Sequence, residues 1–377
     1  MGPAVAVRVH LAPAQASPLS PTEVNGPTEV SGPTEVSGPD VAEAALLAGM
    51  ARLADRLRPD QAGGPPAVVS RRDDRLIVRC GEVVLKAHAD TADPDHLAAR
   101  LRFAARPALR PVLLTPLELA PAPGTYAVRL GAHQVSAWPA GANLGTEDAD
   151  DAPWEQAAAL LARLHRVPVS PTDLTELPPA TVLRRLTDRV TRLRRHVGHP
   201  LVDPVLAAWA TLTEPSPSTP PPALASTTPP SPPAIRAGRP TTVIHGDWHF
   251  GQLVALPAAG WRIIDVDDLG LGDPAWDLAR PAAWFATGLL PVEMWARFLD
   301  AYAACDGPAV ADPDDPWAAL DLPARALTVE YAATAVAAHL AADPETGPDE
   351  VGLAFVDACA RIAGTVGDAS RSRLRNG

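Results

Sequence analysis

The stretch "VIHGDWHFGQLVALPAAGWRIIDVDD" (243–268) places one polar cluster before an apolar run and another after the next run. His245, Asp247 and His249 make the first cluster; Asp265, Asp267 and Asp268 make the second. Between the runs, "PAAG" (257–260) reads as a four-residue hairpin loop, a common length for such a connection. That loop sets Gln252 directly across from Asp265, and opposed side chains have Cβ atoms about 5 Å apart. Magnesium prefers oxygen ligands and takes one or two carboxylates plus substrate phosphates. The Gln252 amide oxygen and the Asp265 carboxylate suit it. Asp247, in the loop before the strand, can orient an attacking hydroxyl and accept its proton.

Other chemistries use similar residues. A metal-dependent hydrolase needs further ligand clusters, such as a second Gly-Asp pair and a later Asn-His, and the sequence carries neither. The remaining histidines are scattered, and His165 and His339 read as satisfied core residues. An aspartate-nucleophile phosphatase, with Asp265 attacking and Asp267 protonating, wants a threonine soon after the pair and a lysine downstream. Leu269 stands at that place, and no lysine follows Lys86. Phosphoryl transfer is the third chemistry that such a pair of clusters could serve. Further along, "GDPAWDLA" (272–279) has Asp273 as a helix cap with Pro274 at the first helical position. Asp277 falls one turn later among apolar neighbours, as a buried, hydrogen-bonded support.

Lys86 stands apart. The chain has 32 lysines and arginines together, and Lys86 is the single lysine. Arginine serves everywhere else, so a compact ammonium is required here. It lies inside the apolar run "VVLKAHA" (83–89), where an unpaired charge costs several kcal/mol. Phosphate binding explains it, since lysine meets phosphate as a point charge; a structural ion pair is the other reading.

Elements must hold these groups in place. Short runs at 67–70, 75–80 and 83–89 read as strands joined by turns. A helix follows, with Asp93 as its cap and Pro94 at its first position, then strand-like text at 112–117 and 126–138. From 41 to 57 the apolar residues have helical period. Beyond "AWPAGAN" (137–143) the text turns helical to about residue 365. The fold class expected is α+β, a small antiparallel sheet lobe at 41–138 and a mainly helical lobe at 139–365. Residues 21–38 repeat PTEVNG-PTEVSG-PTEVSG, too poor in apolar content for a core. Residues 1–40 are therefore expected as a disordered tail, 214–240 as a Pro-rich disordered insertion, and 366–377 as a flexible end.

The bulk numbers narrow the partners. A net charge of −12 argues against nucleic acid or an anionic membrane. Cys80, Cys305 and Cys359 are too few and too far apart for a disulfide framework, which fits a reducing cytoplasm. The start "MGPAVAVRVHLAPAQA" imitates a leader, but Arg8 and His10 interrupt its apolar part. No run reaches the roughly 20 apolar residues of a membrane span.

The lysine strand, the hinge, "LARLH" (161–165), "HGDWHFGQ", "IIDVDD" and "GDPAWDLA" together resemble the aminoglycoside phosphotransferase and choline-kinase-like branch of the protein-kinase-like fold. The resemblance covers roughly 65–365 and implies the two-lobed protein-kinase-like architecture. It implies Asp247 as catalytic base, Gln252 and Asp265 as Mg²⁺ ligands, and Lys86 on the phosphates of ATP. Ser136, Ala137 and Trp138 belong to the hinge that holds adenine through its backbone. His245, His249, Asp267, Asp273 and Asp277 support the site. The acceptor implied is the hydroxyl of a small molecule: an amino sugar, an aminoglycoside-like compound or an amino alcohol. Asp267, Asp268 and Glu330 are read either as lining for such an amine or as surface charges. The chain departs from the pattern in three places. Gln252 stands for asparagine, the "SRRDDR" loop (70–75) lacks glycine, and the helical stretch "DPDHLAARLRFAAR" (93–106) has no glutamate for Lys86, only Asp95 near its start. These departures sustain the alternative of a kinase-like regulator that binds nucleotide or protein without catalysis.

Overall fold

Val, Ile and Leu in period two, broken by tight turns, become a sheet. In the computed structural model, which describes residues 38–58, 66–72, 75–89, 92–119, 122–144, 152–213, 241–257, 259–342 and 348–375, the chain opens with α1 (Gly38–Leu57). Strands β1 (Ala67–Arg72), β2 (Arg75–Cys80) and β3 (Val83–Ala87) follow, then α2 (Pro94–Ala104). Next come β4 (Ala127–Leu130), β5 (His133–Pro139) and β6 (Ala142–Asn143). Helices α3 (Trp154–His165), α4 (Pro171–Glu176), α5 (Val182–Leu193) and α6 (Val202–Thr213) lead to β7 (Thr242–Ile244), β8 (Leu253–Leu256), β9 (Gly260–Ile263) and β10 (Gly270–Gly272). The last helices are α7 (Ala275–Ala286), α8 (Val292–Ala304), α9 (Trp317–Ala341) and α10 (Glu350–Arg375).

Two compact units emerge. One holds the described residues up to Leu144 together with Leu253–Asp267; the other holds those of Gly145–Gln252 and of Asp268 onward. The architecture is the α+β, protein-kinase-like one: an antiparallel sheet unit and a mainly helical unit. The expected tail lies outside the described residues except for 38–40, which begin α1, and so does the insertion at 214–240. The helical text does not stop near 365, because α10 continues to Arg375.

In the sheet unit the order is β1-β2-β3-β5-β4, all antiparallel. Met50, Leu53 and Ala54 of α1 bury against Leu76, Val78, Leu85 and Val135 of the sheet. Asp93 caps α2 as expected, accepting the N–H groups of Asp95 and His96 with Pro94 at the first position, a cap worth about 1 kcal/mol.

Two expectations fail here. Residues 112–117 form no strand; Leu113 makes only an isolated parallel bridge to Ile263. Pro111 precedes the segment and Pro116 lies within it, and neither has an N–H to extend a ladder. The hairpin is also one residue tighter than expected. Leu256 pairs with Gly260 and Leu253 with Ile263, so Gln252 is not opposite Asp265. Gln252 ends a short 3-10 turn, Phe250–Gln252. Gly260, the first residue of β9, has φ +75°, which glycine adopts freely, so the chain turns straight into the strand.

Candidate active site

In the sheet unit the chemistry gathers around one ammonium. Lys86 is 6% exposed, and its Nζ lies 2.7 Å from Asp265 Oδ1 and 2.8 Å from Asp267 Oδ2. Burial pulls the ammonium pKa down, but the Asp265 and Asp267 carboxylates outweigh it and hold the value above the ordinary one. Asp267 is held well below the usual carboxylate range: burial opposes this, and Lys86 and His88 overcome it. The place of the glutamate missing from α2 is taken by two aspartates from the turn that follows β9. Asp95 is exposed at the start of α2 and takes no part.

His88 extends the cluster, being two residues from Lys86 and on the same face. Its Nδ1 is 3.2 Å from Asp267 Oδ1 and its Nε2 2.8 Å from Ser136 Oγ. Trp138 Nε1 donates to the same Ser136 Oγ at 3.0 Å. The Asp267 carboxylate only accepts, so the ring Nδ1–H faces it. Ser136 and Ala137 are fully buried in β5, where Ser136 pairs with Lys86 on one side and Ala127 on the other. The Ala137 carbonyl accepts the Leu117 N–H at 2.8 Å. Ser136 and Trp138 hold the cluster through their side chains.

Asp265 has φ +63°, a left-handed conformation that aspartate adopts more readily than most residues. Such strain of about 1–3 kcal/mol gathers at functional sites. Its carboxylate and that of Asp267 are 28% and 23% exposed, reachable hard oxygen donors. Among the described residues no group of three or more His, Cys, Asp or Glu side chains can hold a metal unaided.

The helical unit sets its chemistry on a rigid loop. Asp277, in the first turn of α7, accepts the N–H groups of His245 at 2.6 Å and Gly246 at 2.8 Å. His165 Nε2 donates to it at 2.9 Å, and the Tyr302 hydroxyl is 2.8 Å from His165 Nδ1. Tyr302 also accepts the Ala309 N–H, so its own proton goes to His165. This buried chain fixes the loop, as expected of Asp277, and His165 is the satisfied core residue expected. Gly246 has φ +82°, and a Cβ there would lie 2.5 Å from the Asp268 carbonyl oxygen. Both the turn and the close approach require glycine. Asp273 Oδ1 accepts the Ala275 N–H at 3.0 Å, while Pro274, expected at the first helical position, takes the cap position of α7.

Asp247 then emerges between two guanidiniums. Arg280 Nη2 lies 2.6 Å from its Oδ1 and Arg185 Nη2 3.1 Å. Burial raises its pKa, but Arg280 and Arg185 hold it below the ordinary carboxylate value. Arg185 reaches Glu330 and Asp268 as well, at 2.8 and 3.3 Å, and Arg189 reaches Glu330 at 2.9 Å. Glu330 is 2% exposed; it neither lines a pocket for an amine nor sits at the surface, because two arginines enclose it. His249 Nδ1 accepts the Gly251 N–H. Burial and then Arg280 push its pKa down to about 3. Gln252 is buried, its N–H bonded to the His249 carbonyl at 2.8 Å.

The sequence reading singled out Lys86, Asp247, Asp265 and Asp277, which the structure places in these clusters, and did not name Arg185, Arg189, Arg280 or His88. Spacing carried a signal for some. Arg280 is three residues after Asp277, and Arg185 and Arg189 are four apart, so each pair shares a helix face.

The phosphotransferase enzyme family (APH) matches this sequence over residues 56–319. Among solved structures, the GDP complex of wild-type aminoglycoside 2'-phosphotransferase-IIIa is similar, with 13% identity, a TM-score of 0.50, and 84% of this chain and 97% of that chain covered. A macrolide 2'-phosphotransferase type I is 20% identical, covering 87% and 98%, with a TM-score of 0.45. A choline/ethanolamine kinase family protein from Mesorhizobium loti is 17% identical, covering 83% and 94%, with a TM-score of 0.44. No curated protein matches. Among the described residues no helix is long and apolar enough to cross a membrane.

Proposed function

Since the chain belongs to the phosphotransferase enzyme family, whose members are small-molecule kinases acting on hydroxyl groups, we propose that it moves the γ-phosphoryl group of ATP to a small-molecule hydroxyl with Mg²⁺. The observation that carries this reading is Lys86, the single lysine, buried on β3 with Asp265 and Asp267 within 2.8 Å. An ammonium there can exchange a carboxylate for a phosphate oxygen.

Asp265 is the carboxylate that would hold Mg²⁺, and Gln252 offers an amide oxygen at the end of the base loop. The bound ion supplies charge neutralisation on the phosphates. Lys86 neutralises phosphate charge, and Asp267, fixed by His88, keeps the lysine aimed. Asp247 orients the acceptor hydroxyl. Its depressed pKa makes it a weak base, which suits a loose transition state in which positioning outweighs early proton removal. Ser136, Ala137 and Trp138 stiffen the strand at which adenine is taken to bind. Dependence on ATP, with Cys80, Cys305 and Cys359 as free thiols, supports a cytoplasmic setting.

Calorimetric titration of Mg·ATP into the purified chain, beside Lys86→Ala, tests this. Magnesium-dependent binding that the variant loses is expected. A folded wild type that binds no nucleotide would overturn the kinase reading and leave a regulator that works through protein partners.

A further inference from the structure

The two oxygens of the Asp247 carboxylate are used unevenly. Arg280 Nη2 at 2.6 Å and Arg185 Nη2 at 3.1 Å both come closest to Oδ1. Oδ2 makes no hydrogen bond among the described residues, and the side chain is 26% exposed. One oxygen is thus held by cations while the other stays open to a ligand.

The two arginines differ in what else they serve. Arg185 also reaches Asp268 at 3.3 Å, Glu330 at 2.8 Å and the Gly246 carbonyl at 3.1 Å. Glu330 Oε2 and Arg185 Nη1 are both buried without a hydrogen bond among the described residues, so Glu330 has a further claim on that guanidinium. Arg280 is placed differently. Its Nη1 donates to the Tyr331 hydroxyl at 2.7 Å, and its guanidinium carbon lies 5.1 Å from the centre of that ring. Tyr331 is stacked in turn on Phe355, with ring centres 4.6 Å apart and planes 10° apart, and Phe355 is buried. A planar fork fixed at one end aims its other end. Arg280 is fixed by a ring anchored in the core, and it is aimed at the base.

We infer that Arg280, braced by Tyr331, is a positioning residue for phosphoryl transfer: it binds Asp247 Oδ1 so that Oδ2 faces the acceptor hydroxyl. As the acceptor oxygen bonds to the γ-phosphorus, the bond to ADP breaks and the acceptor proton passes to Oδ2. This rests on the phosphotransferase reading above.

Three variants separate aim from charge. Tyr331→Phe keeps the ring and loses the brace, Arg280→Lys keeps the charge and loses the fork, and Arg280→Gln loses both. The assay is transfer of labelled phosphate from ATP to water and to a panel of simple alcohols, followed against pH with each full chain. Tyr331→Phe and Arg280→Lys are each expected to lower kcat about tenfold, with KM for Mg·ATP within about threefold of wild type. Their rate should hold at acid pH as the wild type's does. Arg280→Gln should lower kcat and also lose rate at a higher pH than wild type. Arg185, His245 and His249 remain to attract the Asp247 carboxylate, Asp268 and Glu330 do not, and with one cation fewer the base protonates sooner. Should Arg280→Gln not fold, the kcat and KM of the other two decide. A wild-type kcat in Tyr331→Phe or in Arg280→Lys overturns the inference. So does an equal fall in all three with the acid side of the profile unmoved, which marks a structural role. A folded wild type that transfers phosphate to neither water nor alcohol strikes the phosphotransferase reading and this inference with it. Wild-type transfer with unaffected variants strikes this inference alone.

Discussion

Lys86 and the trio Arg185, Arg189 and Arg280 meet the same requirement in the two units, carboxylates held largely out of water, with different cations. In the sheet unit one ammonium serves both Asp265 and Asp267. In the helical unit three guanidiniums serve three acids, and Arg185 alone touches Asp247, Asp268 and Glu330. An ammonium is a point charge with rotatable donors, able to trade one oxygen for another without re-aiming. A guanidinium is a planar fork whose bonds fix direction. The lysine cluster is built to rearrange when phosphate arrives, while the arginine cluster is preorganised and stays as it is. The loop support agrees, since Asp277 is pinned by two backbone N–H groups and His165.

The largest effect expected is on chemistry in the arginine cluster. Asp247→Asn keeps the carboxylate's size but loses its charge, and phosphoryl transfer should fall about 10²–10⁴-fold. Affinity for Mg·ATP should stay within about threefold of wild type, because that affinity is assigned to the other cluster. Single-turnover transfer and calorimetry on the same preparation measure both. A variant that turns over normally removes Asp247 from the chemistry and leaves the arginines as scaffold only.

Next comes stability in the lysine cluster. Lys86→Ala leaves Asp265 and Asp267 without their shared cation, which should cost about 3 kcal/mol, toward the low end for a broken buried pair because both acids are partly exposed. Urea unfolding reads this. A loss near zero would mean that water already screens the pair, and the contrast between an exchangeable and a fixed cluster would lose its physical basis.

How far these clusters could be read from the sequence depends on how singular their residues are. Lys86 is the one lysine in the chain, and Asp247 sits in a loop with two histidines and a glycine, so both announced themselves. The Asp93 cap and the strands β1–β3 followed from local rules of period and capping. Arg185 and Arg189 did not stand out, because α5 and the turn after it also carry Arg184, Arg192, Arg194 and Arg195. Only packing decides which of these are buried. The partner of Lys86 was sought as a glutamate in α2, although Asp267 lay within the quoted motif. Nothing local says that the chain turns at Asp265 with φ +63° and so brings both acids to one ammonium. The hairpin register was missed by one residue for a similar reason, since the composition of "PAAG" does not say whether Gly260 ends the loop or begins β9.

A smaller effect sharpens the arginine side. Glu330→Gln leaves Arg185 and Arg189 sharing a neutral oxygen in place of a carboxylate. The expected loss is about 2 kcal/mol, less than for Lys86→Ala because Arg185 keeps Asp247 and Asp268. Chemical denaturation of the two single variants in one buffer ranks them. If Glu330→Gln proves the costlier, the arginine cluster is a stability element first.

The smallest effect expected is a pH dependence in the same unit. His249 has its pKa pushed from 6.5 down to about 3, by burial first and then by Arg280. In the unfolded chain it titrates near its ordinary value. Between those values the unfolded state binds the proton and the folded state does not, so stability is full above about pH 6.5 and declines as acid is added. The decline continues until the folded histidine itself protonates, near the depressed value. From pH 6.5 to 5.5 this one group should contribute a loss of about 1 kcal/mol. His249→Gln has no proton to bind and should lack that part of the slope. The difference between wild-type and variant unfolding free energies across this window isolates it from the other titrating groups. Parallel slopes would mean that His249 protonates freely in the folded protein. Arg280 would then not be raising the cost of a second positive charge beside it, and the arginine cluster would be less fixed than its geometry implies.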